Sequence, residues 1–111
     1  MTCAVCGESI FERAHVRPKR SFEDREDDER NNIIRLCPTH HTKFDNGKIG
    51  ICESKEKFVV KEGSSMRTEV PKSAISHVDE DYIHYRNERC IREVKFRLGI
   101  IPGSEHGSWC Q

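Results

Sequence analysis

Hydrophobic residues along this chain come in short runs separated by polar stretches, a pattern that predicts several small elements. Residues 10–16 are typical of an extended segment, which ends at Pro18, and the β-branched residues 32–36 predict a short strand. Between them, residues 19–31 are almost wholly polar and show no apolar periodicity. They therefore predict an exposed loop.

A short helix is predicted at residues 38–45. Pro38 suits the first turn of a helix, where its missing N–H is not needed, and Asn46-Gly47 favours an end because both residues tolerate the left-handed conformation. Residues 49–52 and 57–61 then predict the two strands of a hairpin.

The remainder of the chain predicts a helical turn at residues 71–77 and a longer helix at residues 79–98. One apolar stripe on that helix is formed by Cys90, Ile91, Val94 and Leu98. Gly99 follows the helix as a C-cap.

Composition favours one small intracellular domain. The chain has 111 residues, of which 34% are hydrophobic and 34% charged, so its core is modest and a bound metal would help it fold. The start, Met-Thr-Cys-Ala-Val-Cys, has neither the basic nor the apolar region of a secretory signal, and no stretch approaches the ~20 apolar residues of a membrane span. We therefore expect a cytoplasmic protein without a membrane partner.

Charge is balanced overall but unevenly placed. The formal net charge is zero, which by itself does not indicate a nucleic-acid-binding domain. Residues 13–20 are basic without any acid, residues 23–30 are mostly acidic, and residues 86–97 are again mostly basic. Two basic patches therefore flank an acidic loop, and such local fields matter more than the total.

Two pairs of metal-binding residues stand out. They are Cys3-x-x-Cys6 and Cys37-x-x-His40. Each pair can reach one ion from a tight local turn, and sulfur and imidazole are the ligands of closed structural zinc sites. The spacing also favours metal binding over disulfides for these cysteines. An N-terminal knuckle combined with a pair at a helix start is the plan of a treble clef, whereas the alternative is four unrelated reduced residues.

At this point the sequence resembles the HNH (ββα-metal) endonucleases. The motifs that carry the resemblance are Cys3 and Cys6, His15-Val16-Arg17-Pro18, Asn32 five residues before Cys37, and His40-His41. The match covers residues 3–50, nearly half of the chain. It implies an α+β fold, with a zinc-stapled ββα-metal (treble-clef) core at residues 1–52. Residues 53–111 would then be a C-terminal extension, with a hairpin strand and the helix at 79–98, packed on the core and a candidate oligomer interface.

The resemblance also implies roles for individual residues. His15 would be the general base, His41 a ligand of the catalytic divalent ion, and Asn32 the residue that braces the His15 loop. Family members often carry Asp or His before the base, but here that position is Ala14. Asp45 lies four residues after His41 on the same predicted helix face and is a substitute ligand. This set suits Mg²⁺ or Mn²⁺, with Ni²⁺ or a second Zn²⁺ as alternatives.

Each role has a plainer alternative. His15 could be a structural histidine, and Asn32 could cap a turn while Asn31 takes its place as the brace. Asp45 could be an ordinary residue at a helix end.

Contacts to DNA phosphates are expected next to the base histidine. Arg17, Lys19 and Arg20 follow it directly, and Lys43 and Lys48 flank the predicted metal helix. For the basic helix at 86–97, backbone contact and an ordinary solvated face are both open.

We therefore expect a metal-dependent HNH DNA endonuclease that hydrolyses phosphodiester bonds, in restriction, defence or phage-type nicking. A single site cuts one strand, so cleavage of both strands would call for a homodimer. The alternatives are a non-catalytic treble-clef zinc module that binds nucleic acid or protein, and a degenerate HNH domain that binds DNA without cutting it.

Overall fold

The first three elements form a strand pair followed by a helix. The computed structural model describes residues 2–18, 29–53, 58–64 and 66–101. Strand β1 (Glu12–His15) pairs antiparallel with β2 (Ile33–Leu36), so that His15 lies opposite Ile33. Helix α1 (Pro38–Asp45) follows directly, with Pro38 in its first turn. The predicted ββα order and the α+β class are confirmed; most of the predicted loop at 19–31 lies outside the described residues.

A second, three-stranded sheet follows α1. Strand β3 (Ile49–Ile51) pairs antiparallel with β4 (Phe58–Lys61), which confirms the predicted hairpin. A two-residue strand, β5 (Thr68–Glu69), adds to the far edge of β4 and was not predicted, because so short a strand has no alternation to recognise.

The C-terminal elements are three helices. They are α2 (Lys72–Ile75), α3 (Glu80–Glu88) and α4 (Arg92–Leu98). Asp79 caps α3 by accepting a hydrogen bond from the Asp81 N–H at 2.8 Å. None of the described helices is long and apolar enough to cross a lipid bilayer.

The prediction of one helix at residues 79–98 is wrong, because the chain breaks between α3 and α4. At the break, the Ile91 N–H donates to the Gly47 carbonyl at 2.9 Å instead of continuing the helical ladder. Gly47 has a φ of +74°, and a Cβ there would lie 2.8 Å from the Arg89 carbonyl oxygen. The turn after α1 therefore fits against the break only because it carries a glycine.

Helices α3 and α4 pack closely on β3. A Cβ on Gly50 would lie 2.6 Å from Leu98 Cδ1 and 2.9 Å from Val94 Cγ1. The absence of a side chain at Gly50 therefore allows α4 to pack close to β3. The buried Asn87 amide donates to the Ile51 carbonyl at 2.6 Å and accepts from the Ile51 N–H at 3.1 Å. Asn87 thus satisfies the outer edge of β3 as a neighbouring strand would.

Buried residues form two clusters. The larger one surrounds Phe44 and draws on both halves of the chain, including Leu36, Ile49, Val59, Val70 and Ile83. The smaller one lies between α4 and the second sheet and consists of Cys52, Val60, Cys90, Val94 and Leu98. The boundary at residues 52 and 53 and the oligomer interface stay predictions, although the larger cluster shows that the C-terminal elements pack on the ββα unit.

Cys90 behaves as a buried apolar residue. Burial raises the pKa of its thiol to about 11. The neutral thiol lies 3.5 Å from the carbonyl oxygens of Ile49 and Arg86 and is a weak donor to both. Cys52 is also buried but is disulfide-bonded.

Candidate functional site

The two predicted ligand pairs meet at one point. The ligand atoms of Cys3, Cys6, Cys37 and His40 all lie within 4.8 Å of one another. Cys6 Sγ is 3.8 Å from Cys37 Sγ, and His40 Nδ1 is 3.2 Å from Cys37 Sγ. His40 Nδ1 is also 3.8 Å from Cys3 Sγ. Around a tetrahedral zinc, with bonds of about 2.3 Å to sulfur and 2.0 Å to nitrogen, such separations are roughly 3.5–3.8 Å. The four residues therefore fit a structural zinc.

Local hydrogen bonds shape the knuckle. The Gly7 N–H donates to the Cys3 carbonyl at 3.0 Å and the Cys3 N–H to the Glu8 carbonyl at 2.8 Å, which closes the turn between the two thiols. The Ala4 N–H donates to the Arg35 carbonyl at 2.8 Å and so ties this turn to β2. Cys37 is the N-cap of α1, so the second pair is placed by the helix start.

Protonation at this cluster also suits a metal. Burial opposes ionisation of Cys3, but nearby backbone N–H groups, first that of Cys37, lower the pKa of its thiol below the ordinary value. Burial lowers the pKa of His40, and the charges of Lys61 and Lys43 lower it further. His40 is therefore neutral near pH 7, as an imidazole ligand must be.

Two carboxylates contact the His41 ring, one at each nitrogen. Its Nδ1 lies 2.9 Å from Glu12 Oε1, and its Nε2 lies 3.4 Å from Asp45 Oδ2. The i,i+4 approach of Asp45 is the one predicted from the helix. Glu12 was missed, although strand alternation offered a signal: Glu12 and Ala14 share one face of β1, so Glu12 presents a carboxylate on the side where Ala14 has only a methyl group.

Asn32 is fully buried at the start of β2 and holds the chain just after His15. Its amide group donates to the Arg17 carbonyl and its oxygen accepts from the Arg17 N–H, both at 2.8 Å. Asn31 is exposed and its carbonyl accepts from the Asp79 N–H at 2.9 Å. Of the two asparagines, Asn32 is therefore the one whose side chain contacts the segment that follows His15.

A buried arginine joins the elements that carry these residues. Arg86, only 6% exposed, donates to the carbonyls of Val16 at 2.6 Å, His15 at 2.9 Å and Phe44 at 3.2 Å. Its Cζ lies 4.4 Å from the centre of the Phe44 ring, and the nitrogen that contacts His15 is 3.9 Å from Asp45 Oδ1. One guanidinium from α3 thus holds the end of β1 against the end of α1.

Replacing Arg86 by methionine is expected to destabilise the protein by about 3 kcal/mol or more. The carbonyls of Val16 and His15 would lose their charged donor, whereas that of Phe44 still accepts from the Gly47 N–H. Each unsatisfied polar group costs ~1–3 kcal/mol. Denaturant unfolding of the zinc-loaded protein measures the change. The matched control is Arg92→Met, at the exposed start of α4, with an expected change within about 0.5 kcal/mol. Equal effects of the two substitutions would contradict the structural importance of Arg86.

The predicted DNA-contacting residues are placed unequally. Arg17 is half-buried beside the His15 segment, with its Cζ 4.6 Å from the centre of the Tyr85 ring. The Cζ of Arg89 lies against the same ring at 3.4 Å. Lys43 is exposed on α1. Lys19 and Arg20 lie outside the described residues.

Comparisons with known proteins agree with this geometry. The family model described as HNH endonuclease (HNH_2) matches residues 3–52. Among solved structures, the chain is similar to a "Modification dependent TagI restriction endonuclease", with a TM-score of 0.66 and 26% identity over 94% of this chain. The chain spans 36% of that protein's length. No curated protein matches the chain. Both matches are to proteins described as endonucleases.

Proposed function

We propose that this protein is a metal-dependent DNA endonuclease that hydrolyses phosphodiester bonds; residues 3–52 match the model of an HNH endonuclease family. The observation that carries the proposal is the grouping of His41 between the carboxylates of Glu12 and Asp45. This grouping lies on the ββα unit whose first strand ends at His15.

His41 and Asp45 would hold the catalytic cation. One imidazole and one carboxylate, with positions left open for water, suit Mg²⁺ or Mn²⁺, with Ni²⁺ as an alternative. Such an ion neutralises negative charge on the phosphate and on the leaving oxygen. Glu12 contacts the other ring nitrogen of His41 and would orient the ring without contacting the ion.

His15 would act as the general base. Histidine is the side chain suited to take a proton from water near neutral pH. Arg86 fixes the carbonyl of His15, and Asn32 fixes the backbone of Arg17 two residues later. These contacts fix the backbone that carries the imidazole, and proton transfer depends on such positioning.

Arg17 would contact phosphates next to the cut. Its guanidinium contacts the Tyr85 ring, as does that of Arg89, so both arginines bring positive charge to the same ring. Such contacts position the substrate without reading its sequence. Lys43 would add a contact from α1, while the parts proposed for Lys19 and Arg20 rest on the sequence alone.

The products would be ends with a 5′-phosphate and a 3′-hydroxyl, as the family resemblance implies. The similarity to a restriction endonuclease favours a role in restriction or defence over phage-type nicking. Because one active site cuts one strand, nicked circles should accumulate before linear DNA unless two copies act together.

The test is plasmid nicking by zinc-loaded protein with no added ion, or with Mg²⁺, Mn²⁺ or Ni²⁺. Wild type should nick only when a divalent ion is added. Asp45→Asn and Glu12→Gln should each raise the ion concentration for half-maximal activity at least about tenfold. Asp45→Asn removes a ligand, and Glu12→Gln removes the carboxylate that orients the His41 ring.

The matched control is Glu69→Gln, which neutralises an exposed carboxylate on β5. Its ion requirement should equal that of wild type. An unchanged requirement in Glu12→Gln would show that Glu12 does not orient His41. Wild-type protein that binds DNA but nicks it with none of these ions would favour the non-catalytic zinc module instead.

A further inference from the structure

Three lysines line a small cavity on another side of α1. Its volume is about 90 Å³. The lining residues are His40, Lys43, Lys48, Lys61, Glu62 and Ser64. The volume corresponds to roughly three water molecules, since each takes about 30 Å³ in the liquid. This space can accommodate a single phosphate group.

Backbone hydrogen bonds fix the lysines relative to one another. The Lys48 N–H donates to the Lys43 carbonyl at 2.9 Å, and the Glu62 N–H donates to the Lys48 carbonyl at 2.8 Å. The Ser64 N–H donates to the Lys61 carbonyl at 3.3 Å. The end of α1, the start of β3 and the end of β4 therefore meet here as one rigid frame, and the lysines do not depend on mobile loops for their placement.

The charge at this cavity is strongly positive. Three lysines face one carboxylate, that of Glu62, which is exposed. Within the described ranges, no salt bridge involves Lys43, Lys48 or Lys61. The Ser64 hydroxyl adds a neutral donor. Such a set of donors, with a single exposed carboxylate among them, fits an anionic ligand.

We propose that Lys43, Lys48 and Lys61 hold one non-scissile phosphate of the DNA backbone in this cavity. The proposal rests on the DNA substrate proposed above. His40 lines the cavity, whereas His41 belongs to the candidate catalytic site, and neighbouring residues of a helix point about 100° apart. The phosphate in the cavity is therefore not the one being cut, and the duplex would extend around α1 from the catalytic side towards the zinc side.

The test measures binding, so that it does not depend on cleavage. Zinc-loaded protein carrying His15→Ala is titrated into a labelled duplex of about 20 base pairs, without added divalent ions, at several salt concentrations. The slope of log K against log [salt] is negative for a DNA-binding protein. Replacing all three lysines by glutamine should reduce its magnitude by about 1, because one phosphate contact is lost. At 0.1 M salt the affinity should fall roughly tenfold.

Two further variants make the result specific. Replacing the three lysines by arginine should keep the wild-type slope, and Lys95→Gln on α4 should leave slope and affinity unchanged. If the glutamine variant binds DNA like wild type, or if Lys95→Gln weakens binding equally, the proposal is overturned. It is also overturned if the glutamine variant loses zinc while its DNA binding stays intact, since the lysines would then only balance the charge of the thiolates. If wild-type protein never cuts DNA but shows the expected slopes, the nuclease proposal is contradicted while the phosphate site is supported.

Discussion

Cys6→Ala is expected to release the zinc and unfold the protein. Cys6 is the exposed member of the ligand cluster, so its replacement removes little packing and the effect reports coordination. In small zinc domains the metal contributes on the order of 10–16 kcal/mol to folding, whereas a whole domain is stable by about 5–15 kcal/mol. The loss of one thiolate therefore outweighs the stability available. Metal analysis should find about one zinc per wild-type chain and little in the variant, and thermal unfolding should show no cooperative transition.

The conservative control is Cys6→His, which keeps a zinc-binding side chain at the same place. It should retain zinc and restore a cooperative transition. A Cys6→Ala protein that melts like wild type with one zinc bound would refute the structural site. Loss of zinc with unchanged melting would show that the metal binds there but does not hold the fold.

The features that were predicted correctly from the sequence depend on residues that are only a few positions apart. Cys3-x-x-Cys6 and Cys37-x-x-His40 each need only a turn to bring two ligands together, and Pro38 and Gly47 mark the ends of α1. The hairpin of β3 and β4 likewise depends on two neighbouring runs. The i,i+4 relation between His41 and Asp45 follows from the helix period once α1 is known.

The features that were missed depend on contacts between distant parts of the chain. Arg86 lies 71 residues after His15, and its basic neighbours suggested a solvated or DNA-facing helix, whereas its guanidinium is buried. No sequence pattern between residues 79 and 98 predicts the helix break. The break arises where Ile91 meets the turn at Gly47, a contact that exists only in the folded protein.

The same contacts explain why a small zinc-stapled core comes with further helices. The zinc cluster joins the knuckle to the start of α1. Strand β2 contacts the knuckle and also pairs with β1. The end of β1 and the end of α1 are held together by Arg86, which comes from α3. Residues 72–98 therefore contribute to the geometry of the candidate active site, although no catalytic role is assigned to them.

His15→Ala is expected to reduce single-turnover nicking by about 10²–10⁴-fold, the usual contribution of a general base. The backbone at His15 is held through its carbonyl by Arg86, so the substitution should leave zinc content and melting unchanged. The matched control is His84→Ala, which removes an exposed histidine that contacts Glu53 and Glu88 on the surface of α3. That variant should nick at the wild-type rate.

Added imidazole separates a proton acceptor from a merely structural side chain. A free imidazole can occupy the space left by His15→Ala and accept the proton of the attacking water, so part of the activity should return. It should not restore His41→Ala, because that variant lacks a ligand of the proposed cation while its base is intact. Because His41 and Asp45 would still bind the ion in His15→Ala, the ion requirement of this variant should match that of wild type, whereas its rate should be lower. A folded His15→Ala protein that nicks at the wild-type rate would show that another group takes the proton.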